Sequence, residues 1–156
     1  MRAIAFAPII SPHQLSEFEA YAYEFFEEDG YDYLGVSGFG KGVYSVNYTI
    51  NMSTRKAVGR YHDVHGNGGS TISYLAPVIQ IGNLEDNIAA VMFNIYSQRK
   101  RINAIDFMIN CFEVTKSSDN CTSISDIIHL VQDGNVFRPA VLIIHPLVSF
   151  FTIRLN

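Results

Sequence analysis

Only two cysteines, Cys111 and Cys121, occur in the 156 residues, too few for the disulfide framework of a small secreted domain and spaced for neither zinc nor redox chemistry. They predict reduced thiols and an intracellular chain. Charge is also sparse, since 17% of residues are Asp, Glu, Lys or Arg, against about 25% in typical domains. Much of the surface is then uncharged or covered by something else, which suits a protein partner. No Lys or Arg occurs between positions 3 and 40, whereas seven of the fifteen acids fall within 17–32. That segment repels phosphate backbones and argues against nucleic acid. The one basic cluster, Arg99, Lys100 and Arg101, suits a helix end, where cations complement the macrodipole. The opening apolar run, eight residues before Ser11 and Pro12, is too short for a secretory signal and far too short for a membrane span.

Several catalytic signatures are missing as well. No Gly-x-Ser-x-Gly elbow is present; Gly35, Val36, Ser37 and Gly38 stop one residue short of it. The glycines at 66, 68 and 69 are not followed by the Gly-Lys-Ser/Thr ending of a phosphate loop. His62, Asp63 and His65 offer metal donors, but a third ligand at matching spacing is absent. No metal is therefore assigned, and the stretch reads as a glycine-rich loop. Cys111 alternates with Ile105, Phe107 and Ile109 and reads as core rather than nucleophile. Three Asn-x-Ser/Thr sequons, at Asn47, Asn51 and Asn120, have meaning only in a secreted chain.

What is present suits one globular domain, 1–156. The apolar fraction is 48% and the net charge −4, and a chain of ~150 residues can bury about two-thirds of its unfolded surface. Neither repeat nor linker interrupts it. Residues 2–9 form an apolar run suited to a buried strand. Ser11 and Pro12 then signal a helix start, and 13–28 carries Leu15, Phe18, Tyr21 or Ala22, and Phe25 or Phe26 at helical spacing, with its acids on a solvated face and Gly30 as its end.

The densest local signal is Gly38-Phe39-Gly40-Lys41-Gly42-Val43-Tyr44, a glycine-rich bend that opens a strand. Tyr44, Val46, Tyr48 and Ile50 share one face, and Ser45, Asn47, Thr49 and Asn51 the other, the period of a half-buried strand. Beyond it, Ser53 caps a short helix through position 61, and 70–81 reads as a strand in which Pro77, lacking an amide donor, demands an edge position or a bulge. A helix is predicted over 85–101, a strand over 104–115, a helix over 122–132 closed by Gly134, and two apolar strands over 136–155 broken at His145 and Pro146. This order predicts an α+β fold with a mostly antiparallel sheet.

Phe39-Gly40-Lys41-Gly42-Val43-Tyr44 resembles the Gly-x-Gly-x-Tyr turn and strand of ADP-ribosyltransferases of the poly(ADP-ribose) polymerase type, whose tyrosine stacks on nicotinamide. The Ser/Ala-containing segment 53–61, the strand ending at Gly82 and Asn83, and the closing pair of apolar strands are similar to that family's order. The resemblance implies a split, mostly antiparallel sheet with short flanking helices, NAD as cofactor, and Gly40, Gly42 and Tyr44 as cofactor-binding residues. It also exposes gaps. The His-Gly pair of the family's first strand falls on Pro8 and Ile9, and the glutamate of its penultimate strand on Pro139 or Ala140, with no glutamate beyond Glu113. In the related toxin-like pattern, Arg2, Ser53 and Thr54 are partial matches, but its last glutamate is missing too.

The resemblance therefore implies a degenerate site: a pseudoenzyme serving as a protein-interaction module. The alternative is an active mono-ADP-ribosyltransferase or NAD-glycohydrolase with an atypical constellation of Tyr44, Ser53 and Glu113. A third reading is a binding protein of unrelated α+β fold, which predicts a central sheet that does not split around Tyr44.

Overall fold

The computed structural model describes residues 4–31, 40–46, 58–60, 73–129 and 139–147. The protein is α+β, with three helices among the described residues and short, mostly antiparallel strand pairs. It divides into two compact units, Met1–Gln98 with His129–Arg138 and Arg99–Ile128 with Pro139–Asn156.

In the first unit Ser11 starts the helix as its sequence predicts. Its amide donates to Gln14 Oε1 at 2.9 Å, closing a capping box over the 3-10 turn Pro12–Gln14 that leads into α1 (Leu15–Glu28). The buried residues of α1 are Leu15, Phe18, Ala22, Tyr23 and Phe26, a single stripe at helical spacing. Where the periodicity left two choices, packing takes Ala22 and Phe26 inward and leaves Tyr21 42% exposed.

Strands β1 (Ala5–Phe6) and β4 (Gln80–Ile81) pair antiparallel, Phe6 opposite Gln80, and Ile10 bridges Leu75 in the same sense. Four steps separate Phe6 from Ile10 and five separate Leu75 from Gln80, so one extra residue bulges from the second strand. Pro77 lies within that stretch and is fully buried. Its segment is bonded on both sides, so Pro77 lies in a bulged inner segment and not at an edge.

On its other side this segment meets residues 92–95: Pro77 bridges Asn94 antiparallel, Met92 N donates to Val78 O at 2.7 Å, and Ile95 N donates to Ala76 O at 3.0 Å. Phe93 in turn bridges Tyr44 in parallel, and β2 (Tyr44–Val46) pairs antiparallel with β3 (Val58–Arg60), Tyr44 opposite Arg60. The short pairs thus lie in the order β1, β4, 92–95, β2, β3. The core of this unit contains Leu15, Phe18, Phe26, Val43, Tyr44, Leu75, Ile79, Met92 and Phe93.

Several expected elements differ. Residues 58–60, placed in a helix by the Ser53 cap, are strand β3, because β2 offers them a full antiparallel register. The 85–101 helix is broken into α2 (Leu84–Asn87) and two 3-10 turns, Ile88–Ala90 and Ile95–Ser97. Between them Met92 and Phe93 bond the sheet, while the Val91 amide donates back to Ile88 O, and all three are buried.

The second unit is built on α3 (Arg99–Thr115), which replaces the expected strand over 104–115. Its buried residues, Arg101, Ala104, Ile105 and Met108, follow a helical stripe that the alternation of Ile105, Phe107, Ile109 and Cys111 concealed. Over 122–129 the expected helix is likewise replaced by strands, β5 (Ser123–Ile124) and β6 (Ile128–His129), and 130–132 lie outside the described residues. β7 (Pro139–Ala140) and β8 (Ile143–Ile144) follow. β5 and β8 pair antiparallel, Ser123 opposite Ile144 and Ile124 opposite Ile143. Cys111 and Cys121 form a disulfide with Cα atoms 5.5 Å apart, tying the last turn of α3 to the entry of β5. The thiol reading of these cysteines is thereby corrected, and with it the ground for an intracellular location. Among the described residues no helix is long and apolar enough to cross a membrane.

Candidate functional site

The turn into Tyr44 requires its glycines. Gly40 has φ 75° and Gly42 φ 139°, both in the region where a side chain is strained. The geometry turns the chain sharply enough for the Tyr44 hydroxyl to donate back to the Gly40 carbonyl oxygen. Tyr44 is 0% exposed. Its main chain is held from one side as well, with Tyr44 N donating to Met92 O at 2.9 Å and Asn94 N donating to Tyr44 O at 2.8 Å.

α1 supplies the remaining partners of the turn. Gly42 N donates to the Tyr23 hydroxyl oxygen at 3.0 Å, and Val43 N donates to Glu19 Oε1 at 2.7 Å. Lys41 Nζ lies 5.2 Å from the centre of the Tyr23 ring, a cation–π distance. Glu19 and Tyr23 are one helical turn apart and so reach the same loop. Glu19 is therefore a ligand of the turn, which corrects the reading of all the α1 acids as a solvated face. Its spacing from Tyr23, beside inward Ala22, was the signal available in the sequence.

Three successive amides, of Gly42, Val43 and Tyr44, are thus bonded within the protein. A glycine turn that cradles a ligand needs such donors aimed at it. Here they are spent on Tyr23, Glu19 and Met92.

At the start of the strand both faces are buried, at Tyr44 and Ser45; residues 47–51 of the expected alternation lie outside the described residues. Ser45, on the face opposite Tyr44, is 0% exposed and accepts a bond from Asn94 Nδ2 at 3.2 Å. Asn94 Oδ1 accepts from Ala76 N at 2.9 Å and from Tyr96 N at 3.2 Å. This buried amide joins three segments of the sheet region. Sequence reading missed it because an isolated asparagine in an apolar run carries no periodic signal.

The other expected site residues lie as follows. Pro8 lies between β1 and Ile10 in the first unit, as the register requires. Pro139 begins β7 and Glu113 is exposed on α3, both in the second unit. Ser53, together with His62, Asp63 and His65, lies outside the described residues. Among the described residues no group of three His, Cys, Asp or Glu side chains is placed to hold a metal ion.

A second feature stands out in the second unit. The β5–β8 ladder extends in register at both ends, through Ser125 N donating to Leu142 O at 2.9 Å and a Thr122 Oγ1 to His145 Nδ1 bond at 2.9 Å. Its small polar residues face inward: Ser123 Oγ donates to the Ala104 carbonyl of α3 at 2.6 Å, and Ser125 is 6% exposed. Ile124 and the opposite Ile143 face outward, 65% and 70% exposed, whereas Ile144, opposite Ser123, and Leu142 are half-buried on the inward face.

No protein-family model, no curated protein and no solved structure matches this chain.

Proposed function

We propose that this chain is a non-catalytic protein-binding module, in which the ADP-ribosyltransferase-like turn serves as a structural bracket. The observation that carries the binding role is the exposed Ile124–Ile143 pair on the outer face of the β5–β8 ladder. Apolar side chains grouped on a polar scaffold gain free energy when a partner covers them. The absence of a catalytic role is supported by the turn itself, whose amides are bonded to Tyr23, Glu19 and Met92 and whose tyrosine ring is in the core. Prolines at positions 8 and 139 add no proton donor or acceptor side chain.

The test has two arms. Isothermal calorimetry with millimolar NAD, together with a nicotinamide-release assay, is expected to show neither binding nor turnover by the wild-type chain; turnover would defeat the non-catalytic reading. For the surface, photo-reactive groups at positions 124 and 143 are expected to cross-link a protein partner that Ile124→Lys with Ile143→Lys no longer holds. Undiminished capture by the double variant would defeat the assignment of this face.

A further inference from the structure

We infer that the chain matures in an oxidising compartment and that Asn120 is an N-glycosylation acceptor there. Two independent observations converge on the short segment after α3. The first is the Cys111–Cys121 disulfide, a cross-link that persists in oxidising compartments and is rare where thiols are kept reduced. The second is the sequence Asn120-Cys121-Thr122, an acceptor sequon.

The structure separates the three sequon positions. Asn120 is exposed and occupies a left-handed turn, φ 63°, so its carboxamide stands at a bend where an attached sugar meets solvent. Cys121 is 0% exposed and anchors the turn from within. Thr122 is exposed, but its hydroxyl is engaged with His145 Nδ1 at 2.9 Å. Transfer to Asn120 needs that hydroxyl free beside the carboxamide, so it precedes closure of the β5–β8 ladder, and the folded turn then presents the glycan outward.

Both covalent steps balance. The Cys111 and Cys121 thiols lose two protons and pass two electrons to a protein disulfide, which is reduced to a dithiol. At Asn120, Nδ2 forms a bond to the anomeric carbon of a lipid-diphosphate-linked oligosaccharide. The carbon–oxygen bond to the diphosphate breaks, the lipid diphosphate leaves with the electron pair, and the amide loses one proton.

The full chain would be expressed behind a signal segment in a eukaryotic secretory host and mapped with trypsin without reduction. The expected map joins the peptide starting at Ile102 to the one starting at Ser117, and an amidase that removes N-glycans releases a sugar and leaves aspartate at position 120. Asn120→Asp, which keeps a residue tolerant of the left-handed turn, and Thr122→Ala should each abolish the glycan. A bare Asn120 in the secreted chain would overturn the inference. So would cysteines that alkylate without prior reduction.

Discussion

The Tyr44 hydroxyl donates to the carbonyl oxygen of Gly40, four residues earlier in the chain, so the ring and the turn that delivers it form one closed unit. A ring tied to its own turn and 0% exposed contributes packing and the hydrogen bond to Gly40. Tyr44→Phe is expected to cost about 1 kcal/mol, the ordinary value of a lost hydrogen bond. Tyr44→Ala is expected to cost roughly 3–5 kcal/mol through the cavity it leaves. Urea unfolding followed by circular dichroism measures both. A Tyr44→Ala protein as stable as wild type would contradict the burial.

Glu19 and Tyr23 carry the turn from the helix side. Glu19→Ala leaves the Val43 amide without its carboxylate acceptor, and the loss of a hydrogen bond to a charged group should cost about 1–2 kcal/mol at this partly exposed position. Glu19→Gln retains an acceptor oxygen and should recover part of that. Thermal melts of the two variants side by side give the comparison.

Asn94 is the buried joint between Ser45, Ala76 and Tyr96. Removing its side chain orphans the Ala76 amide in a dry setting, so Asn94→Ala should destabilise by roughly 1–3 kcal/mol. Amide hydrogen exchange at Ala76 is the sharper readout, because protection there should fall further than the global stability does.

The disulfide closes a loop of ten residues in sequence separation. Chain-entropy reasoning gives about 3 kcal/mol for a loop of this size. Cys121→Ser should lower stability by about that amount, and adding reductant to the wild type should produce the same loss. Insensitivity of the unfolding midpoint to reductant would show the bond contributes nothing to stability.

Replacing Ile124 and Ile143 together by threonine should leave stability within about 0.5 kcal/mol, as exposed substitutions do, while β-branching keeps strand propensity. Equilibrium unfolding checks this directly. A large loss would mean that the isoleucines are already covered within the protein, and the proposed docking face would fall with it.

Local patterns carried far where one element satisfied its own needs. Ser11 and Pro12 announce the start of α1, and Leu15 and Phe18 begin a stripe at helical spacing; both were legible without any distant partner, while the choice of Ala22 over Tyr21 and Phe26 over Phe25 was left to packing. That Pro77 demands an edge or a bulge was legible for the same reason, since a missing amide is a property of the residue itself.

Long-range pairing overruled the pattern elsewhere. Residues 91–94 are as compatible with a helix as with a strand, and the amides of Met92 and Asn94 were drawn to Val78 and Tyr44 because a bridge between two existing strands satisfies both edges at once. Residues 104–115 fit both periods, and burial of Ala104, Ile105 and Met108 settled the helix. The cysteines looked like an unrelated pair until the end of α3 and the start of β5 came within bonding distance.

The glycine turn divides along the same line. Gly40, Gly42 and Tyr44 announce a tight bend into a strand by their identities alone, because positive φ and the strand period are local facts. Whether the amides of that bend face a ligand or the protein is not local. It depended on α1 bringing Glu19 and Tyr23 to the bend, 24 and 19 residues away in sequence, and hydrogen-bond donors already satisfied inside a fold are no longer offered to anything outside it.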